Sequence, residues 1–189
     1  MGREGGTLGG KRAAMLLRGR LVRLRAIESD EFEAWRGWIN RPDVMQDMDR
    51  AVRPTAEEHR RFVADAVASE RAVFLGIETL DAPRLIGVVW LWDLEPRHRR
   101  AEVRIVIGDP DTRGRGYGAD AIGALAAYAF EQRGLRKLYA YVHAHNAASR
   151  RAFERAGFAL EATLEREALR DGHETDVHRL RRFAVEERH

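Results

Sequence analysis

The chain has no cysteine, which excludes a disulfide framework, a thiolate zinc site and a cysteine nucleophile together. Lysine is nearly absent as well: Lys11 and Lys137 stand against 31 arginines. Long hydrophobic runs are missing. No stretch approaches the roughly 18 apolar residues of a membrane span, and the N-terminus lacks the apolar core of a signal peptide. No internal repeat is visible. These absences leave a cytoplasmic enzyme or binding protein with no membrane partner. The 189 residues suffice for one domain with its own core and are too few for two.

The excess of basic residues is local. Residues 1–20 hold Arg3, Lys11, Arg12, Arg18 and Arg20 against Glu4, so the whole chain's +3 sits in this leader and the remainder carries a slight negative balance. That distribution argues against nucleic-acid binding, and the arginine excess fits codon bias better than phosphate recognition. Residues 1–19 are glycine-rich and without periodicity. They read as a flexible leader, with Met15 just ahead of a domain over 20–189.

Within that domain, Leu21 to Arg25 alternates like a first strand, and Asp30 to Glu33 has the form of a capping box opening a helix with Trp35 and Trp38. Asn40-Arg-Pro-Asp reads as a break. Pro54 and Thr55 to Glu58 open a second helix, to about Ser69. Strands are expected over Ala72–Glu78 and Leu85–Trp92, the second apolar on both faces and hence central. Further strands follow over Ala101–Ile107 and Lys137–His143, with helices over 119–133 and 147–156. Two closing strands, about 158–169 and 174–183, are joined by the turn Asp171-Gly172.

The stretch that organises the rest is Arg113-Gly114-Arg115-Gly116-Tyr117-Gly118, between a strand and a helix. A helix N-terminus offers unpaired backbone N–H groups and a partial positive charge. Glycines let that backbone approach a ligand closely. The expected guest is a phosphate or pyrophosphate, with Arg113 and Arg115 adding donors at the rim. A Walker A loop would need Gly-Lys-Ser/Thr where Tyr117-Gly118 stands. A dinucleotide fingerprint would need different glycine spacing and an acid about twenty residues on, where Leu135 to Tyr139 has none.

Arg-x-x-Gly-x-Gly is the form that fits. Together with Tyr128-Ala-Phe130-Glu, Gly134-Leu135, Asn146-Ala-Ala-Ser149 and Glu154-Arg-Ala-Gly157-Phe158, it resembles the coenzyme A loop of the GNAT N-acetyltransferases. The likeness is strongest to the RimJ/RimL-type branch, which includes ribosomal-protein and spermidine acetyltransferases. It implies an α/β (α+β) GNAT fold: a mixed, mostly antiparallel sheet of about seven strands flanked by about four helices. It also implies acetyl transfer from acetyl-coenzyme A to a primary amine (a protein N-terminus or a small molecule) through a tetrahedral intermediate, without a metal. The family admits homodimers. A second reading keeps the coenzyme site and loses the chemistry, giving a non-catalytic acyl-coenzyme A sensor or scaffold.

The resemblance places roles on residues. The loop Arg113, Gly114, Arg115, Gly116, Tyr117 and Gly118 holds the pyrophosphate. The pantetheine arm pairs with backbone at Ile105, Val106 and Ile107, in a gap where this strand and strand 137–143 splay apart. Asn146 reaches the same arm while capping its helix, and Arg151 faces the phosphates or simply solvent. Glu102 is the candidate base, acting through water on an amine that is protonated at neutral pH. Its plain alternative is a strand glutamate paired with Arg104 or Arg100. A backbone N–H near Val106 faces the developing oxyanion. Phe153 occupies the position where many family members carry a tyrosine acid, and reads as a core aromatic. Ser149 is the substitute proton donor, or a first-turn serine bonding backbone.

His143, His145, His173, Glu174 and His178 do not make a metal motif, since His-Glu-x-x-x-His is one residue too long for a zincin and falls on a strand. Trp35, Trp38, Trp90 and Trp92 read as core, with Trp92 and the basic Arg97–Arg100 loop bordering the acceptor site. That loop's charge favours a peptide or anionic acceptor over a polyamine.

Overall fold

The computed structural model describes residues 16–48, 53–170 and 172–185. In chain order the elements are β1 (Leu16–Arg18), β2 (Val22–Arg25), a 3-10 turn at Ser29–Glu31, α1 (Phe32–Ile39), α2 (Pro42–Asp47), α3 (Ala56–Ala68), β3 (Val73–Thr79) and β4 (Leu85–Glu95). Then come β5 (Arg100–Ile107), a second 3-10 turn (Pro110–Thr112), α4 (Tyr117–Glu131), β6 (Lys137–His143), α5 (Ala147–Arg155), β7 (Ala159–Arg170) and β8 (His173–Phe183). The strands form one sheet in the order β1-β2-β3-β4-β5-β6-β8-β7. Every neighbouring pair is antiparallel except β5 and β6.

Among the described residues there are eight strands and five α-helices, one of each more than expected. The extra strand is β1. It lies inside the stretch read as leader and pairs Leu16, Leu17 and Arg18 with Arg25, Leu24 and Arg23. Residues 1–15 and Asp171 of the expected hairpin turn fall outside the described residues; Gly172 beside it has φ +77°. The extra helix is α2, over the Asn40-Arg-Pro-Asp stretch expected as a break. Proline instead occupies its first turn, where its missing N–H costs nothing.

Local signals explain the helix starts. Thr55 Oγ1 accepts the Glu58 N–H at 3.2 Å and Glu58 Oε2 accepts the Thr55 N–H at 2.8 Å, the reciprocal box expected there. The other box is shifted from Asp30–Glu33 to Glu28–Glu31, with the Glu28 N–H donating to Glu31 Oε2 at 2.9 Å. A 3-10 turn therefore precedes α1.

Two apolar layers pack on the sheet, the second only as far as β5. On one side α4 buries Ala121, Ile122, Leu125, Ala126 and Ala129 against Val89, Leu91, Ala101, Val103 and Leu138. On the other, Trp35 and Ile39 of α1 and Val63 and Ala66 of α3 pack on Phe74, Val88, Trp90 and Val106. Burying each large side chain there stabilises by about 1.5–3 kcal/mol. β4 is covered on both faces, as its unbroken apolar run required. Alternation along β5 sends Ala101, Val103, Ile105 and Ile107 toward α4, and Glu102, Arg104 and Val106 toward the α1–α3 side.

A charged network ties β2 to β3 and to the turn before α1. Glu78, 6% exposed, accepts from Arg23 Nε and Arg25 Nε, both at 2.5 Å. Arg25 also donates to both oxygens of Glu31, at 2.8 and 2.6 Å. Burial pushes the Glu78 carboxyl up, but the Arg25 and Arg23 guanidiniums outweigh it and hold it below the ordinary 4.5. Hydrogen bonds from Arg25 lower Glu31 against the opposing effect of burial. Carboxylates with depressed folded pKa values stabilise fully above their unfolded value and lose that contribution as pH falls through the folded value.

Glu78→Gln is therefore expected to cost about 2 kcal/mol at pH 7, discounted from a fully buried pair because both arginines are partly exposed. That corresponds to about 4–8 °C in Tm. The gap between wild type and variant closes as pH drops below about 4. Thermal melts followed by circular dichroism across that range check it.

Candidate active site

β5 and β6 are joined only at their beginnings. Three parallel pairs, Arg100 with Lys137, Ala101 with Leu138 and Glu102 with Tyr139, are followed by none. Beyond Glu102, residues of β5 stay paired with β4, as in Val103–Leu91, Ile105–Val89 and Ile107–Gly87. Residues of β6 stay paired with β8, from Ala140–Leu180 to His143–Val177. The sheet thus opens into a wedge, its apex at Glu102 and Tyr139. The backbone of Ile105 and Ile107 faces it without a strand partner, while that of Val106 is turned to Val88 of β4.

The wide end of the wedge is flanked by two helix N-termini. On the β5 side, Gly114 has φ +77° and Gly116 φ +89°, a left-handed backbone that glycine adopts without strain. Gly116 is the N-cap of α4. Asp120 is the first residue here whose N–H is bonded, to the Gly116 carbonyl at 3.1 Å. The amides of 114–119 meet no acceptor among the described residues. Gly118 lies against Ile107, Ile105 and Ala152, so α4 begins wedged between β5 and α5.

Asp120 fixes that start, a role that sequence reasoning missed. Its carboxylate accepts the N–H groups of Arg20 at 3.0 Å, Leu21 at 2.8 Å and Val22 at 3.0 Å. An acid in a helix's first turn is the only signal the sequence held; the partners lie about a hundred residues away.

On the β6 side, Asn146 Oδ1 accepts the Ser149 N–H at 2.9 Å and caps α5. Ser149 is half-buried in the first turn, and Arg151 is exposed. Phe153 is 2% exposed and meets the Phe158 ring edge-on at 5.1 Å: a core aromatic, as its plain reading had it.

Arg113 bonds within the chain. Its Nε–H points to the Ile107 carbonyl at 3.2 Å and its Nη1 to Asp43 Oδ2 at 2.7 Å, so its donors face β5 and α2. Arg41 first, and then Arg113, hold Asp43 down at about 2. Asp47, at the other end of α2, meets His145 Nε2 at 3.0 Å. The helix that was read as a break therefore spans the wedge, tied to residue 113 on one lip and to residue 145 on the other. Arg115 stays exposed at the rim.

At the apex Glu102 is 7% exposed. Arg104 Nε donates to its Oε1 at 2.7 Å and Arg104 Nη2 to its Oε2 at 2.9 Å. Arg100 pairs instead with Glu95, at 2.7 Å. The plain alternative for Glu102, an ion pair with Arg104, is thus present. It leaves chemistry open, because each carboxylate oxygen keeps a second lone pair. The Arg104 guanidinium lies 5.6 Å from the Trp92 ring, and burial and then the Glu102 charge push the Tyr139 hydroxyl above its usual 10.

The histidines are dispersed. His143 and His145 stack at 5.4 Å, His178 meets Thr163, and Glu174 pairs with Arg166. Trp35 and Trp90 are core, while Trp38 and Trp92 are partly buried at its edge.

Comparison with known proteins agrees with this geometry. Residues 21–159 match the family described as acetyltransferase (GNAT) domain. The chain is 32% identical over 111 residues to the uncharacterized N-acetyltransferase YoaA of Bacillus subtilis, covering 58% of this chain and 62% of that one. It is 33% identical over 96 residues to the spermidine N(1)-acetyltransferase of Vibrio cholerae, covering 51% and 55%. It therefore spans little more than half the length of these relatives.

The fold also superposes on the Vibrio cholerae spermidine N-acetyltransferase crystallised with CoA and spermine. There the TM-score is 0.79 and the identity 24%, with 86% of this chain and 95% of that one covered. A GNAT-family acetyltransferase from Bacillus anthracis gives a TM-score of 0.77 at 21% identity, with 89% and 98% covered. The wedge between β5 and β6, the glycine turn at its mouth and the match over 21–159 place this chain in the GNAT acetyltransferase family.

Proposed function

We propose that this protein transfers the acetyl group of acetyl-coenzyme A to a primary amine. One observation carries the reading: a run of unengaged amides, 114–119, at the start of α4 beside an open wedge in the sheet. Such amides suit a pyrophosphate, and the backbone of Ile105 with the N–H of Ile107, facing the wedge without a strand partner, suits an amide-bearing arm. Arg115 supplies rim charge, and Asn146, Ser149 and Arg151 line the opposite lip. Acetyl-coenzyme A supplies an acetyl thioester.

Glu102 takes the proton that an ammonium must shed before it attacks. A backbone N–H near Val106 faces the oxygen on which charge develops. Ser149 returns a proton to the departing thiolate. The acceptor is a primary amine of a protein N-terminus or of a small molecule. The spermidine named for the Vibrio cholerae relative adds polyamines to those worth testing.

Thiol release measured over a panel of amines, alongside thermal shifts with coenzyme A, tests this. Coenzyme A at a hundred times its Kd is expected to stabilise by about 2.7 kcal/mol, and at least one amine is expected to drive thiol release. Binding without turnover on any amine favours the sensor reading. Stabilisation by nucleotides and not by coenzyme A overturns both.

A further inference from the structure

The layer formed by α1, α2 and α3 stops at β5. Its apolar cluster contains residues of β3, β4 and β5 and none of β6, β8 or β7. The face of β6 that carries Lys137, Tyr139 and Tyr141 continues into Phe183, Arg181 and Arg179, their registered partners on β8. No described helix packs there, and Tyr141 and Phe183 are each 45% exposed. Tyr139, paired with Glu102 at the wedge apex, is 7% exposed, so the face runs from the apex and opens beyond it, at Tyr141 and Phe183.

Cations and rings interleave across it. The Arg179 guanidinium lies 4.9 Å from the Tyr139 ring and 5.7 Å from Tyr141. Arg181 and Lys137 flank the Phe183 ring at 5.1 and 5.5 Å. Carboxylates are scarcer than cations: Lys137 and Arg179 share Glu161, and Arg181 makes no ion pair among the described residues. The exposed Arg97, His98 and Arg99 adjoin the same end, since the Arg136 N–H bonds the Arg99 carbonyl at 2.7 Å.

We propose that this face receives the acceptor itself, a polypeptide N-terminus bearing carboxylates at its second to fourth residues. This rests on the acetyltransferase reading above, which puts the reacting amine at Glu102. Adjacent strands are about 4.8 Å apart, so the rows of Tyr139 and then Arg181 lie about 5 and 10 Å from Glu102. An extended chain at about 3.3 Å per residue reaches them with its second to fourth residues. Surplus positive charge along that path attracts carboxylates and repels a polyamine's ammonium groups. A nucleic acid fits less well. It brings no aliphatic amine, and guanidiniums already cover the tyrosine faces on which bases would stack.

The test uses peptides that share an N-terminal alanine and carry three glutamates, three glutamines or three lysines at positions two to four, with spermidine beside them. At low salt kcat/KM is expected to be about a hundredfold higher for the acidic peptide than for the lysine peptide, with the gap narrowing as salt rises. Arg181→Glu is expected to cut acidic-peptide kcat/KM about tenfold and to raise the lysine peptide's, with coenzyme A affinity kept as the check on folding. Arg181→Gln gives half the charge change and an intermediate shift. Equal rates for all three peptides, a preference for spermidine, or single-stranded RNA displacing the acidic peptide would each overturn the proposal and leave the acetyltransferase reading standing. Absence of thiol release with every amine, or of coenzyme A binding, would overturn both.

Discussion

Gly116→Val is expected to remove most of the affinity for coenzyme A from a protein that still folds. Gly116 sits at φ +89° as the N-cap of α4. A β-branched residue is strained there, by roughly 1–2 kcal/mol. The obstacle is not crowding, since a Cβ at this position would meet only Leu21 Cδ1, at an ordinary 3.6 Å. A cost of that size is small beside the 5–15 kcal/mol of a typical domain, and the Asp120 carboxylate still anchors the first turn through the amides of Arg20, Leu21 and Val22.

The chain relieves the strain by rotating the backbone on either side, and that rotation redirects the amides of 114–119. Losing two or three aligned donors to a pyrophosphate is expected to raise Kd about a hundredfold or more, about 2.7 kcal/mol. Calorimetric titration with coenzyme A, paired with a thermal melt, measures both quantities. A folded variant whose Kd moves less than threefold would show that these amides do not hold the cosubstrate.

Much of this architecture was legible because local signals agreed with the tertiary outcome. Lys137–His143 is a strand to the residue, and the helices expected over 119–133 and 147–156 are found at Tyr117–Glu131 and Ala147–Arg155. Thr55 and Glu58 announced their helix by chemistry confined to four residues. α2 failed the same reading because six residues are too few for a helical period to show, and Pro42 signals a break and a first turn equally well. β1 is three residues long in a glycine-rich stretch, where no alternation can be seen.

The site divides along the same line. The glycine turn and the burial of Phe153 follow from patterns local to each segment, whereas the wedge is expected only from the family resemblance. The partners of Arg113 and Asp120 do not, since Asp43 is 70 positions from Arg113 and Arg20 is 100 from Asp120. Spacing along the chain carries no information about such pairs. Glu102 falls between. An arginine two residues on along a strand shares its face, so the ion pair was foreseeable, while its bearing on catalysis was not.

Glu102→Gln is expected to lower kcat by about a hundred- to ten-thousandfold, the range usual for a lost general base, while coenzyme A affinity stays within about twofold. Glutamine keeps the shape and one acceptor for Arg104, and it cannot take a proton from an ammonium at neutral pH. Ser149→Ala is expected to lose less. A thiol with a pKa of about 8.5 leaves tolerably well as the thiolate, so a proton donor has little to add.

The decisive comparison is with Arg104→Gln. If Glu102 serves only as the partner of Arg104, the two changes break the same pair and depress turnover and Tm alike. If Glu102 is the base, Arg104→Gln leaves the carboxylate in place with both oxygens released, and its kcat stays well above that of Glu102→Gln. Steady-state kinetics of the three variants with one amine acceptor, alongside their melting temperatures, separate these cases. Equal losses in kcat for the Glu102 and Arg104 variants would assign Glu102 to the fold and leave the amine's proton to water or to a group on the acceptor side.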